Sequence, residues 1–191
     1  MQAQKSKFCA DQVDYLGYVI TREGLTPQLK KNQAILSLGI PKNIRGVRRV
    51  LGIVQYYRDL WPKRSEILAP LTEHTSTKGA AKKNYTKKIV WTDVHQIAFD
   101  KMKQLVARDV LLAYPQFDKP FQVYTDASDL QLGGVIMQEG RPLAYYSRKL
   151  NSAQKNYTTG EKEFLSVVET LKEFRNILFG FKIEVLLIIK T

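Results

Sequence analysis

Two acidic residues in the second half of the chain stand where carboxylates could bind a metal ion. Asp126 ends an alternating stretch that predicts a central strand, although aspartate is depleted in strands. Glu163 lies in the first turn of the helix that must cross over the same sheet. A strand end and a crossing helix can bring two carboxylates together. Paired carboxylates bind Mg²⁺, which prefers oxygen ligands and usually shares them with a substrate phosphate.

Both acids also have ordinary structural explanations, which spacing alone does not exclude. Asp126 can start a turn with Ser128. Glu163 is one of two acids near the start of its helix, where the helix dipole favours negative charge. The metal site is therefore one of two interpretations at this point.

Cysteine and histidine content limits the other kinds of site. The single cysteine, Cys9, excludes a disulfide framework and a multi-thiolate metal site. The two histidines, His74 and His95, are far apart in the sequence and do not predict a histidine-rich site.

Residues 1–8 lack an apolar signal segment, and the longest apolar stretch is far shorter than the about 20 residues that span a bilayer. We therefore expect an intracellular protein without a membrane partner, in the cytoplasm or the nucleus.

The positive charge is concentrated in the first half of the chain. The formal net charge is +12, and of 30 Lys and Arg residues 17 lie in residues 1–90, against only 6 Asp and Glu. Charge placed in this way acts on partners rather than on the fold. The polyanion that it favours is nucleic acid, with a membrane surface or an acidic protein as weaker alternatives.

The strongest binding surface predicted from periodicity lies on a helix from Ile44 to about Leu60, capped by Asn43. Its apolar stripe is expected to face the core. The other face carries cations, an amide, an aromatic ring and a glycine that exposes bare backbone, namely Arg45, Arg48, Arg49, Gly52, Gln55 and Tyr56. Such a face suits a nucleic-acid duplex, with arginines on phosphates and the glycine at the point of close approach. A solvated basic face with a tolerated glycine is the alternative.

Two helices are predicted on either side of a basic segment. Thr26 and Pro27 are expected to open a helix that runs through about Leu38. A helix from about Asp93 to Ala107 is expected to be capped by Thr92, with Val94, Ile97, Ala98, Met102 and Leu105 as its core stripe.

Residues 75–88 contain five lysines and no acid, which predicts a solvated linker and a domain boundary. From Phe121 the pattern predicts an antiparallel meander of three strands, then a helix from about Thr159 to Leu178, then a strand after Gly180. Thr158 and Glu161 are expected to form a capping box at the start of that helix. Its buried stripe is expected to contain Phe164, Val167, Val168, Leu171, Phe174 and Leu178. Because a helix intervenes, we expect the last strand to run parallel to the first.

A series of motifs in fixed order closely resembles the pol polyprotein of gypsy-type LTR retrotransposons and, more remotely, retroviral reverse transcriptase. The resemblance covers nearly the whole chain, from about Lys5 to Val185. Its clearest motifs are Tyr15-Leu16-Gly17-Tyr18-Val19-Ile20, Val47-Arg48-Arg49-Val50-Leu51-Gly52, Tyr124-Thr125-Asp126-Ala127-Ser128, Ala144-Tyr145-Tyr146-Ser147-Arg148-Lys149-Leu150 and Glu161-Lys162-Glu163-Phe164-Leu165.

The resemblance implies a mixed fold of the α+β or α/β class, divided into five parts. These are the end of a polymerase palm with its primer-grip hairpin (1–25), a helical thumb (26–75), a basic linker (76–90), a connection (91–120) and a truncated ribonuclease H-like domain (121–191). In the last part we expect an incomplete mixed sheet with an antiparallel meander, a crossing helix and a parallel strand.

The resemblance also implies roles for individual residues. Asp126 and Glu163 match metal-binding carboxylates of ribonuclease H, where Mg²⁺ or Mn²⁺ ions drive hydrolysis of the RNA strand of an RNA–DNA hybrid. Residues expected to contact nucleic acid lie in the hairpin, on the thumb helix and in the linker, namely Tyr15, Gly17, Tyr18, Arg45, Arg48, Arg49, Gly52, Gln55, Tyr56, Lys82, Lys83, Lys87 and Lys88. The implied partners are a template-primer duplex or an RNA–DNA hybrid, and the remainder of a pol polyprotein.

The chain departs from the family pattern at the catalytic positions. The palm aspartates that bind the polymerase metals precede the region of resemblance, and Ile188 stands where the third ribonuclease H aspartate is expected. We therefore expect a fragment of a reverse transcriptase and ribonuclease H that does not bind Mg²⁺ tightly and is itself inactive. Whether this chain acts as an enzyme is left open. The alternatives are a non-catalytic basic nucleic-acid-binding protein and a decayed element with no function.

Overall fold

The first described residues form a small antiparallel sheet in the computed structural model, which describes residues 9–75, 86, 88–108 and 110–187. Its strands are β1 (Gln12–Tyr15), β2 (Tyr18–Thr21) and β3 (Leu25–Pro27), in that order. Leu16 and Gly17 make the turn between β1 and β2, both with positive φ, as a two-residue hairpin requires. The hairpin prediction is confirmed. Lys82, Lys83, Lys87 and Ile188, which the sequence singled out, lie outside the described residues.

Four short helices follow the small sheet. They are α1 (Leu29–Leu36), α2 (Ile44–Tyr56), α3 (Arg64–Ile67) and α4 (Ala69–Glu73), with a 3-10 turn at Arg58–Leu60. The side chain of Asn43 caps α2 by accepting a hydrogen bond of 2.9 Å from the backbone N–H of Gly46, as predicted. Thr26 and Pro27 belong to β3 instead of opening α1, because their backbone pairs with β2.

The next helix, α5 (Asp93–Val106), begins at a capping box formed by Thr92 and His95. Its buried face differs from the predicted stripe, since Val94 and Ile97 are 60% and 55% exposed. The residues that α5 buries are Ala98, Phe99, Met102, Leu105 and Val106, and they join one core with residues of α1, α2 and α4. Packing against α1, α2 and α4, rather than periodicity, selects the face that α5 turns inward. The helices α1 to α4 lie in the segment predicted as a thumb and are called the thumb helices below.

A second, four-stranded sheet contains β4 (Phe121–Ala127), β5 (Gln131–Gln138), β6 (Arg141–Lys149) and β7 (Ile183–Leu187). The order is β6-β5-β4-β7, with antiparallel pairs except for the parallel pair of β4 and β7. Glu139 and Gly140 turn the chain between β5 and β6 with positive φ. The predicted meander and the parallel last strand are both confirmed.

The crossing helix divides into α6 (Thr159–Glu173) and α7 (Arg175–Leu178) around Phe174. The capping box of Thr158 and Glu161 that begins α6 was predicted and is present. The predicted apolar stripe of α6 is wrong at Phe164, which is 71% exposed. The helix instead turns Ser166 and Thr170 to the sheet, and the missing side chain at Gly134 of β5 leaves room for Thr170 to approach the strand closely. A Cβ at residue 134 would lie 2.7 Å from Cγ2 of Thr170.

Candidate nucleic-acid interface and carboxylate site

One face of α2 is exposed and carries the residue types predicted for duplex binding. Arg45, Arg49, Gly52, Gln55 and Tyr56 are all exposed, while Val47, Val50 and Val54 on the opposite face are buried. A Cβ added at Gly52 would meet no atom within 4 Å, so the backbone is bare at that point. The exposed residues recur at helical spacing, and the valines face inward. The exposed residues therefore form one continuous stripe along α2.

Arg48 differs from the other arginines of α2. It is half-buried, and its Nη2 donates a hydrogen bond of 3.4 Å to the backbone oxygen of Thr75 at the end of the thumb helices. The structure therefore turns Arg48 toward the protein, and it leaves Arg45 and Arg49 as the exposed cations of the stripe.

A cluster of aromatic rings joins the β1–β2 hairpin to the end of α2. The hydroxyl of Tyr57 donates to the backbone oxygen of Gly17 at 3.0 Å, that of Tyr18 to the oxygen of Tyr56 at 3.2 Å, and that of Tyr56 to the oxygen of Leu16. Burial raises the pKa of Tyr18 to about 12. These hydroxyls are engaged within the protein, so the ring of Tyr56, which is half exposed, is what this residue offers to a ligand.

A groove of about 610 Å³ lies between α1, α2 and the hairpin. Lys31 and Arg49 on its border are exposed, and Ile35 in its floor is buried. The floor is apolar, with Ala34, Leu38 and Ile53 completing it. This combination of an apolar floor and cationic border suits the sugar edges and phosphates of a duplex.

The end of β4, which carries Asp126, and the first turns of α6, which carry Glu163, are in contact. The hydroxyl of Ser166, one helical turn after Glu163, donates hydrogen bonds to the backbone oxygens of Asp126 at 3.1 Å and of Gly133 at 2.8 Å. Both carboxylate residues are half-buried. The turn of α6 that carries Glu163 is therefore held at the strand end that carries Asp126, as the sequence predicted for these two elements.

Other acids near this strand end are engaged in local structure. Glu161 accepts hydrogen bonds from the N–H and hydroxyl of Thr158, and the backbone hydrogen bond holds the pKa of Glu161 below its usual value. Asp129 accepts a hydrogen bond of 2.8 Å from Nζ of Lys162, which lowers the pKa of Asp129. Among the described residues, no group of three or more His, Cys, Asp or Glu side chains lies close enough to hold a metal ion.

Sequence reasoning missed two associations that the fold creates. The rings of His74 and His95 lie with their centroids 4.1 Å apart, although 20 residues separate them in the sequence. A cleft of about 420 Å³ between the thumb helices and the second sheet brings Arg58 and Arg64 beside Arg148 and Lys172. Neither association has a local motif, so only the tertiary contacts reveal it.

The sequence of this chain is similar to those of reverse transcriptases and Pol polyproteins. Residues 91–185 match the model of the RNase H-like domain found in reverse transcriptase. Among curated relatives, the retrovirus-related Pol polyprotein from transposon 297 of Drosophila melanogaster is 37% identical over 180 residues, which are 94% of this chain and 16% of the relative. That from transposon gypsy of the same organism is 35% identical over 181 residues, 93% of this chain and 18% of the relative. The chain thus spans less than a fifth of these relatives.

Solved structures show the same fold. A foamy viral protease-reverse transcriptase in complex with an RNA/DNA hybrid matches 98% of this chain and 25% of its own, with a TM-score of 0.82 and 22% identity. The same foamy viral protein in complex with double-stranded DNA matches 98% of this chain and 39% of its own, with a TM-score of 0.82 and 24% identity. In the part of the chain that the structure describes, no helix is both long and apolar enough to cross a membrane. Through residues 91–185 the chain belongs to the RNase H-like domain family found in reverse transcriptase, and it is a homologue of the Pol polyproteins of the gypsy, 297 and opus retrotransposons.

Proposed function

We propose that this chain binds an RNA–DNA hybrid or a DNA duplex along α2 as a segment of a Pol polyprotein. The observation that carries the proposal is the exposed stripe of Arg45, Arg49, Gly52, Gln55 and Tyr56, which offers cations, bare backbone and an aromatic ring on one face. The foamy viral protein that shares the fold is described in complex with such duplexes. Arginines bind phosphates, and the glycine lets a sugar edge approach the helix closely.

The proposed binding is not specific to base sequence. The stripe contacts the outside of a duplex, and neutralising phosphates releases counterions whatever the bases are. Lys88 and the linker residues Lys82, Lys83 and Lys87 add cations on the same half of the chain. We therefore expect binding to both kinds of duplex with a steep dependence on salt.

Asp126 and Glu163 are proposed as the ligands of a divalent ion at the strand end. The family generally uses divalent metals, and carboxylate oxygens suit Mg²⁺. When bound, such ions activate water against a phosphodiester and stabilise the leaving oxygen. This site requires anionic ligands to offset two positive ions, and the described residues contain no group of three or more His, Cys, Asp or Glu side chains that could hold one. We propose that the chain on its own positions a hybrid and does not cleave it.

Binding is tested by fluorescence anisotropy with a labelled hybrid over a range of salt concentrations. Arg49→Ala is expected to weaken binding of every duplex alike and to reduce the slope of log affinity against log salt by about 1. Arg175→Ala is the matched control, since Arg175 is also exposed but lies on α7 against Phe179. Affinity that does not change with salt, or equal effects of the two variants, would contradict the proposal.

A further inference from the structure

Side chains from the second sheet cap the start of α3, the short helix at the end of the thumb. Oγ of Ser147 accepts a hydrogen bond of 2.9 Å from the backbone N–H of Ser65. Oε1 of Gln131 accepts one of 2.9 Å from the N–H of Glu66. The first N–H groups of a helix commonly lack partners within the helix, and here β6 supplies one for Ser65, while β5 supplies a second acceptor for Glu66, whose N–H also bonds the oxygen of Lys63 at 3.2 Å. The residues joined are 65 and 82 positions apart in the sequence.

The two capping side chains also bind each other and the helix side chains. The hydroxyl of Ser147 donates to Oε1 of Gln131 at 3.0 Å, and Nε2 of Gln131 donates to Oε2 of Glu66 at 3.2 Å. Nη2 of Arg64 donates to the backbone oxygen of Ser147 at 3.2 Å. Gln131 and Ser147 are only 5% and 7% exposed. The polar side-chain atoms of Gln131 and Ser147 thus all have partners, and a buried, satisfied pair of this kind favours a single arrangement of the parts that it joins.

This network, formed by Arg64, Ser65, Glu66, Gln131 and Ser147, is called the latch below. It lies beside the predicted metal ligand, because Ser147 pairs with Gly133 across β5 and β6, and Gly133 pairs with Asp126 across β5 and β4. Residues paired in this way project from the same face of a sheet. Lys63, immediately before α3, lines a cleft of about 120 Å³ together with Asp126. The latch therefore fixes the thumb over the sheet face that carries Asp126.

We propose that Gln131 is a positioning residue that sets the thumb and the RNase H-like sheet at one distance and angle. The inference rests on the proposed function, since its consequence is that a duplex bound along α2 reaches the Asp126 strand end in one register. Without the latch, we expect the two parts to bind a duplex independently. A duplex long enough to contact both parts then loses the advantage of two linked attachments.

The same strand supplies a matched control. Gln138, at the other end of β5, is also 5% exposed and its side chain also makes three hydrogen bonds. Its partners are the backbones of Gln116 and Lys119, outside the thumb helices. Gln131→Leu and Gln138→Leu therefore remove the same number of side-chain hydrogen bonds from buried positions of one strand, and only the first removes hydrogen bonds to α3.

The first experiment measures the distance between the two parts. In a Cys9→Ser background, spin labels are placed on the exposed positions 30 of α1 and 176 of α7 through Lys30→Cys and Asn176→Cys, and electron–electron resonance gives the distance distribution. We expect a narrow distribution for the parent and for Gln138→Leu, and a broad one for Gln131→Leu. Ser147→Ala, which removes only a hydroxyl, is expected to broaden it less. A narrow distribution in Gln131→Leu, or equal broadening by Gln138→Leu, overturns the proposal.

The second experiment compares a long hybrid, which reaches both parts, with a short one that covers α2 alone. Gln131→Leu is expected to lower affinity for the long hybrid about tenfold and to leave the short one unchanged, while Gln138→Leu changes neither. Equal losses on both hybrids contradict a positioning role. If the parent binds neither hybrid, the proposed function fails, and the distance distributions still decide whether the latch holds the two parts together.

Discussion

Ser166 donates a hydrogen bond of 3.1 Å to the backbone oxygen of Asp126, and this contact ties the crossing helix to the strand end of the candidate metal site. Ser166 is fully buried, and its hydroxyl also binds the oxygen of Gly133 at 2.8 Å. A small hydroxyl at this point lets α6 lie close to β4 and β5. The position of Glu163, one turn earlier, follows from the same contact.

The chain is expected to bind Mg²⁺ weakly and to leave a hybrid uncut. Asp126 and Glu163 alone offset too little of the repulsion between two divalent ions. Calorimetric titration with Mg²⁺ or Mn²⁺ and release of labelled RNA fragments from a hybrid are the measurements. Asp126→Asn is the control. Cleavage by the parent that disappears in Asp126→Asn would show that two carboxylates, with the substrate phosphate, are enough.

Two substitutions of Gly52 are expected to affect different properties. Alanine should raise the stability of the fold, and a bulky residue should weaken duplex binding. A Cβ there meets no neighbouring atom, and alanine is a better helix former than glycine, so Gly52→Ala should stabilise the fold by about 0.5–1 kcal/mol. A bulky side chain, as in Gly52→Phe, should block close approach of a duplex and weaken binding several-fold. Thermal melting and anisotropy measure the two effects. Unchanged duplex affinity in Gly52→Phe would remove Gly52 from the interface.

The adjacent glycines of β5 are expected to differ sharply when each is changed to alanine. In Gly134→Ala the new methyl group would lie 2.7 Å from Cγ2 of Thr170, so α6 must shift, at a cost of about 1–3 kcal/mol. In Gly133→Ala the nearest atom is the backbone oxygen of Asp126 at 3.6 Å, an ordinary contact. Denaturant unfolding compares the two variants. Equal destabilisation would mean that α6 does not pack as closely on β5 as the structure shows.

Stability is expected to fall in mild acid because of the His74–His95 pair. Burial, and then the neighbouring His95, lower the pKa of His74 below its usual value, while Glu73 acts in the opposite direction. The unfolded chain takes up this proton at a higher pH than the folded chain. The contribution of His74 is therefore fully present above about pH 6.5 and is lost as the pH falls through the lower folded pKa.

The predicted loss of stability in mild acid is therefore assigned to His74. Melting temperatures measured from neutral to mildly acidic pH test this, with His74→Gln as the comparison. The variant should show a flatter pH profile than the parent. Parallel profiles would exclude a role for His74 in acid sensitivity.

The sequence determined the local features of this protein. The Asn43 cap of α2, the Thr158–Glu161 capping box and the strand alternation from Phe121 each depend on neighbours within a few residues, and all were predicted correctly. The parallel pairing of β4 and β7 followed from the intervening helix. The exposed stripe of α2 was also predicted, because the valines recur at helical spacing on one face of the helix and the arginines lie on another. Arg48 was the exception, since its partner, Thr75, lies 27 residues away.

Only the tertiary structure decided which faces meet and which distant residues join. Periodicity assigned Phe164 to the core of α6, but α6 turns Ser166 and Thr170 to the sheet, with Thr170 over Gly134, and Phe164 is 71% exposed. The same limit applies to α5, whose inward face is set by packing against α1, α2 and α4. The latch and the histidine pair join residues from distant segments of the chain. A hydrogen bond or ring contact between such segments does not depend on the residue spacing within either segment, so the spacing does not predict it. The sequence predicted Asp126 and Glu163 as a pair, because a strand end and a crossing helix can meet, and the Ser166 contact shows that these two elements are held together.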